Sequence, residues 1–204
     1  MPSRNIVRKD SDHTYYHVYA RGISKGEVFR EPQDKDYFLY LLSRHLSIEQ
    51  VSSRLGYAYR NFRGQVELLT FCLMDNHFHL LFYQVERGTL SELMKSILVA
   101  YTAYFNRKYK RTGPLFESRF KASAIQNDAY VQHISRYIHL NPRGWKRFAY
   151  SGLLYIRNSS EPEWLQTERI LVQHRDRDSY IEFVSDYEDH KAMLDQIKND
   201  LANL

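Results

Sequence analysis

Apolar residues along this chain alternate between the two-residue period of strands and the three-to-four-residue period of helices. Tyr15 to Ala20 is aromatic and β-branched and stops at Arg21-Gly22, which predicts a first strand. Phe38, Leu41, Leu42, His45 and Leu46 then recur at helical spacing within Asp34 to Leu46. Val66 to Met74 and His77 to Tyr83 read as two strands joined at Asp75-Asn76, whose turn chemistry predicts a hairpin. A second helix follows: Leu90, Leu93, Met94, Ile97, Tyr101, Tyr104 and Phe105 trace one stripe, and Thr89 precedes Glu92 at a capping-box interval. After Gly113-Pro114, Phe116 to Ile125 predicts a fourth strand, and Asn127-Asp128 caps a third helix that stops at Asn141-Pro142.

The order strand, helix, strand, strand, helix, strand, helix suits an α+β fold. Two right-handed strand-helix-strand units interleave into a four-stranded, mainly antiparallel, ferredoxin-like sheet with helices on one face. The additional helix carries Tyr137. Beyond Pro142 the texture changes, with a linker-like Ser159-Ser160-Glu161-Pro162 and helical patterns around Trp164 to Val172 and Ser179 to Leu201. The expected organisation is a catalytic domain over 1–150 and a helical C-terminal extension over 151–204.

Composition narrows the compartment and the partner. The 204 residues are 43% apolar, enough for a single core. No run approaches the roughly 18 to 20 apolar residues of a membrane span, and Met1 to Asp10 has no signal-peptide core, so a cytoplasmic protein without a membrane partner is expected. Cys72, the single cysteine, lies in an apolar stretch and reads as a buried hydrophobe. The net charge of +5 suits a polyanion. Arg107, Lys108, Lys110 and Arg111 form one basic cluster, interleaved with Tyr101, Tyr104, Phe105 and Tyr109 in a manner that serves either base stacking or a core; Arg143, Lys146 and Arg147 form another. Arg119 and Lys121 alternate with Phe120 on the predicted fourth strand, and Arg136 adds a cation beside Tyr137, so all of these except Lys146 and Arg147 are candidate DNA contacts.

Candidate chemistry centres on two short segments. Alternate residues of a strand share a face about 6.5 to 7 Å apart, so His77 and His79 can aim at one ion while Phe78 points into the core. On the third helix Tyr130, His133, Tyr137 and Asn141 follow one face, with Val131, Ile134 and Ile138 on the neighbouring apolar face. A phenol with a pKa of about 10 is a poor nucleophile at neutral pH and needs an electrophile whose charge has been neutralised. A divalent ion, Mg2+ or Mn2+, on a phosphate does this, and the Asn141 amide can complete its protein ligands. His133 and His139 are left outside this set.

Four segments resemble one known family. Asp75 to Phe82, D-N-H-F-H-L-L-F, resembles the histidine-hydrophobe-histidine motif of the single-tyrosine HUH transposases, and Ser135 to Pro142, S-R-Y-I-H-L-N-P, resembles their tyrosine helix. Gly113 to Ala122, G-P-L-F-E-S-R-F-K-A, and Tyr16 to Gly22, Y-H-V-Y-A-R-G, are similar to segments of the REP-associated branch, as is Trp164 to Leu171. The resemblance implies that His77, His79 and Asn141 are metal ligands and Tyr137 the nucleophile. It implies a transposase that cuts and rejoins single-stranded DNA, with or without a hairpin, through a 5′-phosphotyrosine and a free 3′-hydroxyl. Arg143-Gly144-Trp145 departs from the family's valine-arginine-alanine-glycine ending, and some relatives place glutamine where Asn141 stands. A replication initiator of the same chemistry and a catalytically lapsed hairpin-binding protein are the alternatives, and either a monomer or a homodimer fits.

Overall fold

In the computed structural model, which describes residues 10–141 and 150–186, four strands make one antiparallel sheet in the order β2-β3-β1-β4. These are β1 (Thr14–Arg21), β2 (Val66–Met74), β3 (His77–Gln84) and β4 (Lys121–Ile125). Helix α1 (Pro32–Leu46) connects β1 to β2, α2 (Thr89–Lys108) connects β3 to β4, and α3 (Asp128–Leu140) follows β4. The two strand-helix-strand units interleave in the ferredoxin-like manner that the element order implies.

The two-residue period sorts the core into layers. Phe78, Leu80 and Phe82 of β3, with Val18 and Ala20 of β1, pack with Phe38, Leu41 and Leu42 of α1 and Leu93, Met94, Ile97 and Tyr101 of α2. Leu69, Cys72, Leu81 and Ile125 pack on the opposite side with Val131, Ile134 and Ile138 of α3. Thus α1 and α2 share one face, and the additional helix lies across the other. His77 and His79, opposite in parity to Phe78 and Leu80, therefore look toward α3. Burial pushes the Cys72 thiol up to about 12, as suits an inert core residue.

Two local expectations change around the sheet. Regular pairing of β4 begins only at Lys121, because Leu115, Phe116 and Phe120 are all buried around exposed Glu117 to Arg119, a pattern no two-residue alternation produces. Phe116 makes a single bridge to Gly22. The capping box at Thr89 and Glu92 does not form. Gly88, in the left-handed region at φ 87°, is the N-cap, Leu90 N donates to Gln84 Oε1 at 3.0 Å, and Thr89 Oγ1 donates to the Glu86 carbonyl.

The C-terminal helices also differ from expectation: α5 spans only Glu168–Leu171 of the pattern expected from Trp164 to Val172, α6 begins at Arg177 and spans Arg177–Ser185, and an additional α4 spans Gly152–Arg157. Trp164 lies in a turn closed by Leu165 N donating to the Pro162 carbonyl at 2.8 Å, and Leu165 is in a bridge instead of a helix, because the two cover β2, an edge strand: Leu165 bridges Leu68, Gln166 N donates to the Leu68 carbonyl at 2.8 Å, and the Trp164 ring lies 6.0 Å from the Phe71 ring. The remainder of the helix expected to Leu201 lies outside the described residues.

The aromatic and basic cluster at the end of α2 is structural in large part. Buried Asp34 accepts from Lys108 Nζ at 2.7 Å, Tyr109 Oη at 2.7 Å, Tyr104 Oη at 3.1 Å and Arg30 N at 2.9 Å. Burial alone would raise its pKa, but the bonds from Lys108 and Tyr109 outweigh that and hold it below the ordinary 3.8. A folded-state pKa below the unfolded one means that the stabilisation is fully present above the unfolded value and is lost as pH falls through the folded value. Asp34→Asn is expected to cost roughly 2 kcal/mol at neutral pH, and the deficit should shrink as the parent carboxylate protonates in acid. Chemical denaturation across that range checks it; a deficit independent of pH would refute the charged network.

Candidate active site

The site forms where β3 and β1 face α3. In the β1–β3 register Arg21 stands opposite His77, Tyr19 opposite His79 and His17 opposite Leu81, so these side chains share one face. Asn127 caps α3 by accepting from Ala129 N at 2.8 Å, and the apolar stripe of that helix fixes it on the sheet. Tyr137 then points its ring edge-on at His79, with centroids 5.5 Å apart, and at His17, 6.0 Å apart. The rings of His77 and His79 are 5.0 Å apart, and the Asn141 side chain, one turn beyond Tyr137, lies close enough to His77 to act on its charge. The four residues singled out in the sequence, 77, 79, 137 and 141, are thus brought together.

His77 Nδ1 lies 2.6 Å from Asn76 Oδ1, an arrangement that makes Nδ1 the donor and leaves Nε2 as the lone-pair nitrogen. His79 Nδ1 lies 2.8 Å from His17 Nε2. Burial lowers the pKa of His77, with the Arg21 charge adding to the effect and the Asn141 side chain opposing it. Burial and then the neighbouring His17 hold His79 well below its usual range, and burial brings His17 to about 3. All three rings are therefore neutral near neutral pH, the state in which imidazole can bind a metal. Two neutral imidazoles and an amide oxygen fit a divalent ion that keeps its other positions for water and phosphate oxygens. Among the described residues no group of three or more His, Cys, Asp or Glu is placed to hold an ion.

The surrounding candidates divide. Lys121 stands opposite Tyr19 on the site's face, with Nζ 5.7 Å from that ring. Exposed Arg119 lies on the loop before β4, outside the strand alternation expected of it. Arg107 and Lys110 are exposed at the end of α2, in the layer across the sheet, and Arg111 bonds Asn106 Oδ1 at 3.2 Å. Lys108 is committed to Asp34 and Glu31. Arg136 is corrected: it is 1% exposed, with its guanidinium 3.6 Å from the Phe183 centroid, so it presents no charge to DNA. Arg143, with Lys146 and Arg147, lies outside the described residues. His139 is buried and bonds Tyr180 Oη at 2.9 Å, and His133 lies against Phe183 at 6.1 Å, so neither joins the site. His17 and Arg21 were missed; their signal was the shared parity of Tyr15, His17, Tyr19 and Arg21 within the first strand.

The fold and these residues define an α+β protein with a histidine-tyrosine site between its central strands and the helix laid over them. The chain belongs to the family described as Transposase IS200 like, which matches residues 11–141. A solved structure of a REP-associated tyrosine transposase bound to a REP hairpin has the same fold, with a TM-score of 0.52 at 14% identity over 78% of this chain and 89% of that one. No protein of curated function matches the chain. Among the described residues no helix is long and apolar enough to cross a membrane.

Proposed function

We propose that this member of the IS200-like transposase family is a metal-dependent endonuclease and strand transferase for single-stranded DNA, with Tyr137 as nucleophile. The observation that supports this best is the meeting of Tyr137 with His77, His79 and Asn141, from a strand and a helix some sixty residues apart, at centroid distances of 5.0 to 5.5 Å along the rings. His77, His79 and Asn141 would hold a divalent ion, Mg2+ or Mn2+, which when bound supplies neutralisation of phosphate charge. Tyr137 Oη attacks phosphorus and loses its proton; the P–O3′ bond breaks, and the departing 3′-oxygen gains a proton. The phosphorus is then bonded to Tyr137 Oη and keeps its ester to the 5′-oxygen of the strand. Because one ester replaces another, a later 3′-hydroxyl can reverse the step and rejoin DNA without a nucleotide cofactor. Arg21 and Lys121, on the same face, carry the charge that attracts the backbone.

The substrate follows from the placement of the nucleophile. Tyr137 sits on a packed helix facing fixed histidines, so the strand must bend into line for attack, and a duplex resists that bending. The partner bound by the REP-associated neighbour suggests a hairpin next to the cleaved strand. One sequence presented as a single strand, beside a hairpin and as a perfect duplex, at matched salt, tests this. Covalent adduct should form on the first two and at least about tenfold less on the duplex, with binding that weakens as salt rises. Equal or faster cleavage of the duplex would overturn the substrate, and hairpin binding without any adduct would favour a catalytically lapsed binder.

A further inference from the structure

Beneath the candidate metal ligands the sheet contains a second row of polar atoms that the proposed chemistry does not use. His17 is 0% exposed, and its Nε2 meets His79 Nδ1 at 2.8 Å. The two rings are nearly coplanar, 11° apart with centroids separated by 5.0 Å, so the shared hydrogen lies in both ring planes. Two neutral imidazoles joined in this way hold one hydrogen between them, and its location decides which face His79 offers. If His17 Nε2 donates, His79 must carry its own hydrogen on Nε2 and cannot ligate there. If His79 Nδ1 donates, His79 Nε2 has a lone pair, and His17 must carry its hydrogen on Nδ1.

The second arrangement leaves a buried N–H that needs an acceptor. Among the described residues His17 Nδ1 has no hydrogen-bond partner, and neither does the buried Ser123 Oγ. Ser123 is the residue directly opposite His17 in the β1–β4 pair, on the same face of the sheet. The two atoms are not bonded to each other in the structure, but residues so placed have Cβ atoms about 4.5 to 5.5 Å apart, and a turn of Ser123 about χ1 carries its Oγ toward the imidazole edge. Two unsatisfied polar groups of matching chemistry at facing positions are better explained as a pair than as two independent defects.

We propose that Ser123 and His17 form a hydrogen-bond chain that sets the tautomer of His79: Ser123 Oγ accepts from His17 Nδ1, His17 Nε2 accepts from His79 Nδ1, and His79 Nε2 is left facing Tyr137 and His77 as a lone-pair donor. The chain crosses three strands, β4 to β1 to β3, so closing the sheet orients the ligand. His17 and Ser123 are positioning residues; neither touches the substrate. Outer partners of this kind affect metal affinity by about tenfold to a hundredfold. The inference rests on the reading of His77 and His79 as ligands, and the metal-free protein separates the two.

Nitrogen-15 spectra of the histidine side chains in the metal-free protein should place the hydrogen of His79 on Nδ1, and Ser123→Ala should shift that population toward Nε2, whereas Ser123→Thr should not. Mn2+ titrations should show affinity about tenfold weaker in Ser123→Ala, near parental in Ser123→Thr, weaker still in His17→Phe and partly restored in His17→Gln, whose amide can accept from His79. Should the His17 variants not fold, the Ser123 pair decides alone. A parent that binds no manganese but shows the tautomer shift would sink the metal reading and leave the chain standing. Ser123→Ala with parental tautomers and parental manganese affinity would overturn the proposal.

Discussion

Tyr137→Phe is expected to abolish cleavage and covalent adduct formation, at least roughly a thousandfold below the parent, while DNA binding and stability remain close to parental. Phenylalanine keeps the ring that lies edge-on to His79 at 5.5 Å and to His17 at 6.0 Å, so the packing between α3 and the sheet persists. Only the attacking oxygen is removed. The sharpness of the effect comes from how the other nearby phenols among the described residues are placed: Tyr130 is two turns away from Tyr137 along the helix, and Tyr19 is fixed opposite His79 in the sheet. Tyr130→Phe should cleave nearly as the parent does. A denaturing gel with an end-labelled single strand measures both variants, and normal adduct formation by Tyr137→Phe would remove this residue from the mechanism.

The second large effect concerns the histidines. His79→Ala is expected to reduce cleavage to background and to eliminate tight Mn2+ binding, because it takes away the central ligand and leaves His17 Nε2 without the group it meets at 2.8 Å. His77→Ala should act in the same direction, and Asn141→Ala more mildly, since water can take the place of an amide in an octahedral shell. A chelator should silence the parent protein reversibly, with magnesium or manganese restoring it. Because His79 is only 6% exposed, thermal unfolding of each variant must accompany the assay. A folded His79→Ala protein that cleaves as the parent does, or full parental activity in chelator, would refute the metal role.

Much of the architecture was legible because it depends on local periods. The boundaries of β2 at Val66 and Met74 follow directly from an apolar run bounded by Gln65 and the Asp75-Asn76 turn. The stripe of α2 and the Asn127 cap of α3 likewise express short-range rules. The pairing of His77 with His79 needs only strand parity, and that of Tyr137 with Asn141 only helical pitch.

The rest required tertiary structure, for identifiable reasons. Periodicity reports that a side chain is buried but not against what, so Arg136 read as a cation near DNA when it lies beneath Phe183, and Lys108 read as a free charge when it neutralises Asp34. A strand pattern predicts that residues alternate, but the loop from Leu115 to Phe120 buries its aromatics by irregular backbone, which no period describes. His17 carried no local signal as a partner of His79, because they are 62 positions apart and meet only through the β1–β3 register. The amino-acid sequence by itself determined which residues could do the chemistry and on which side of their own element each stands. Only the folded sheet, by choosing which strands are neighbours and laying α3 over the face away from α1 and α2, decided that those sides meet, since register and layer order are set by long-range packing that no local window contains.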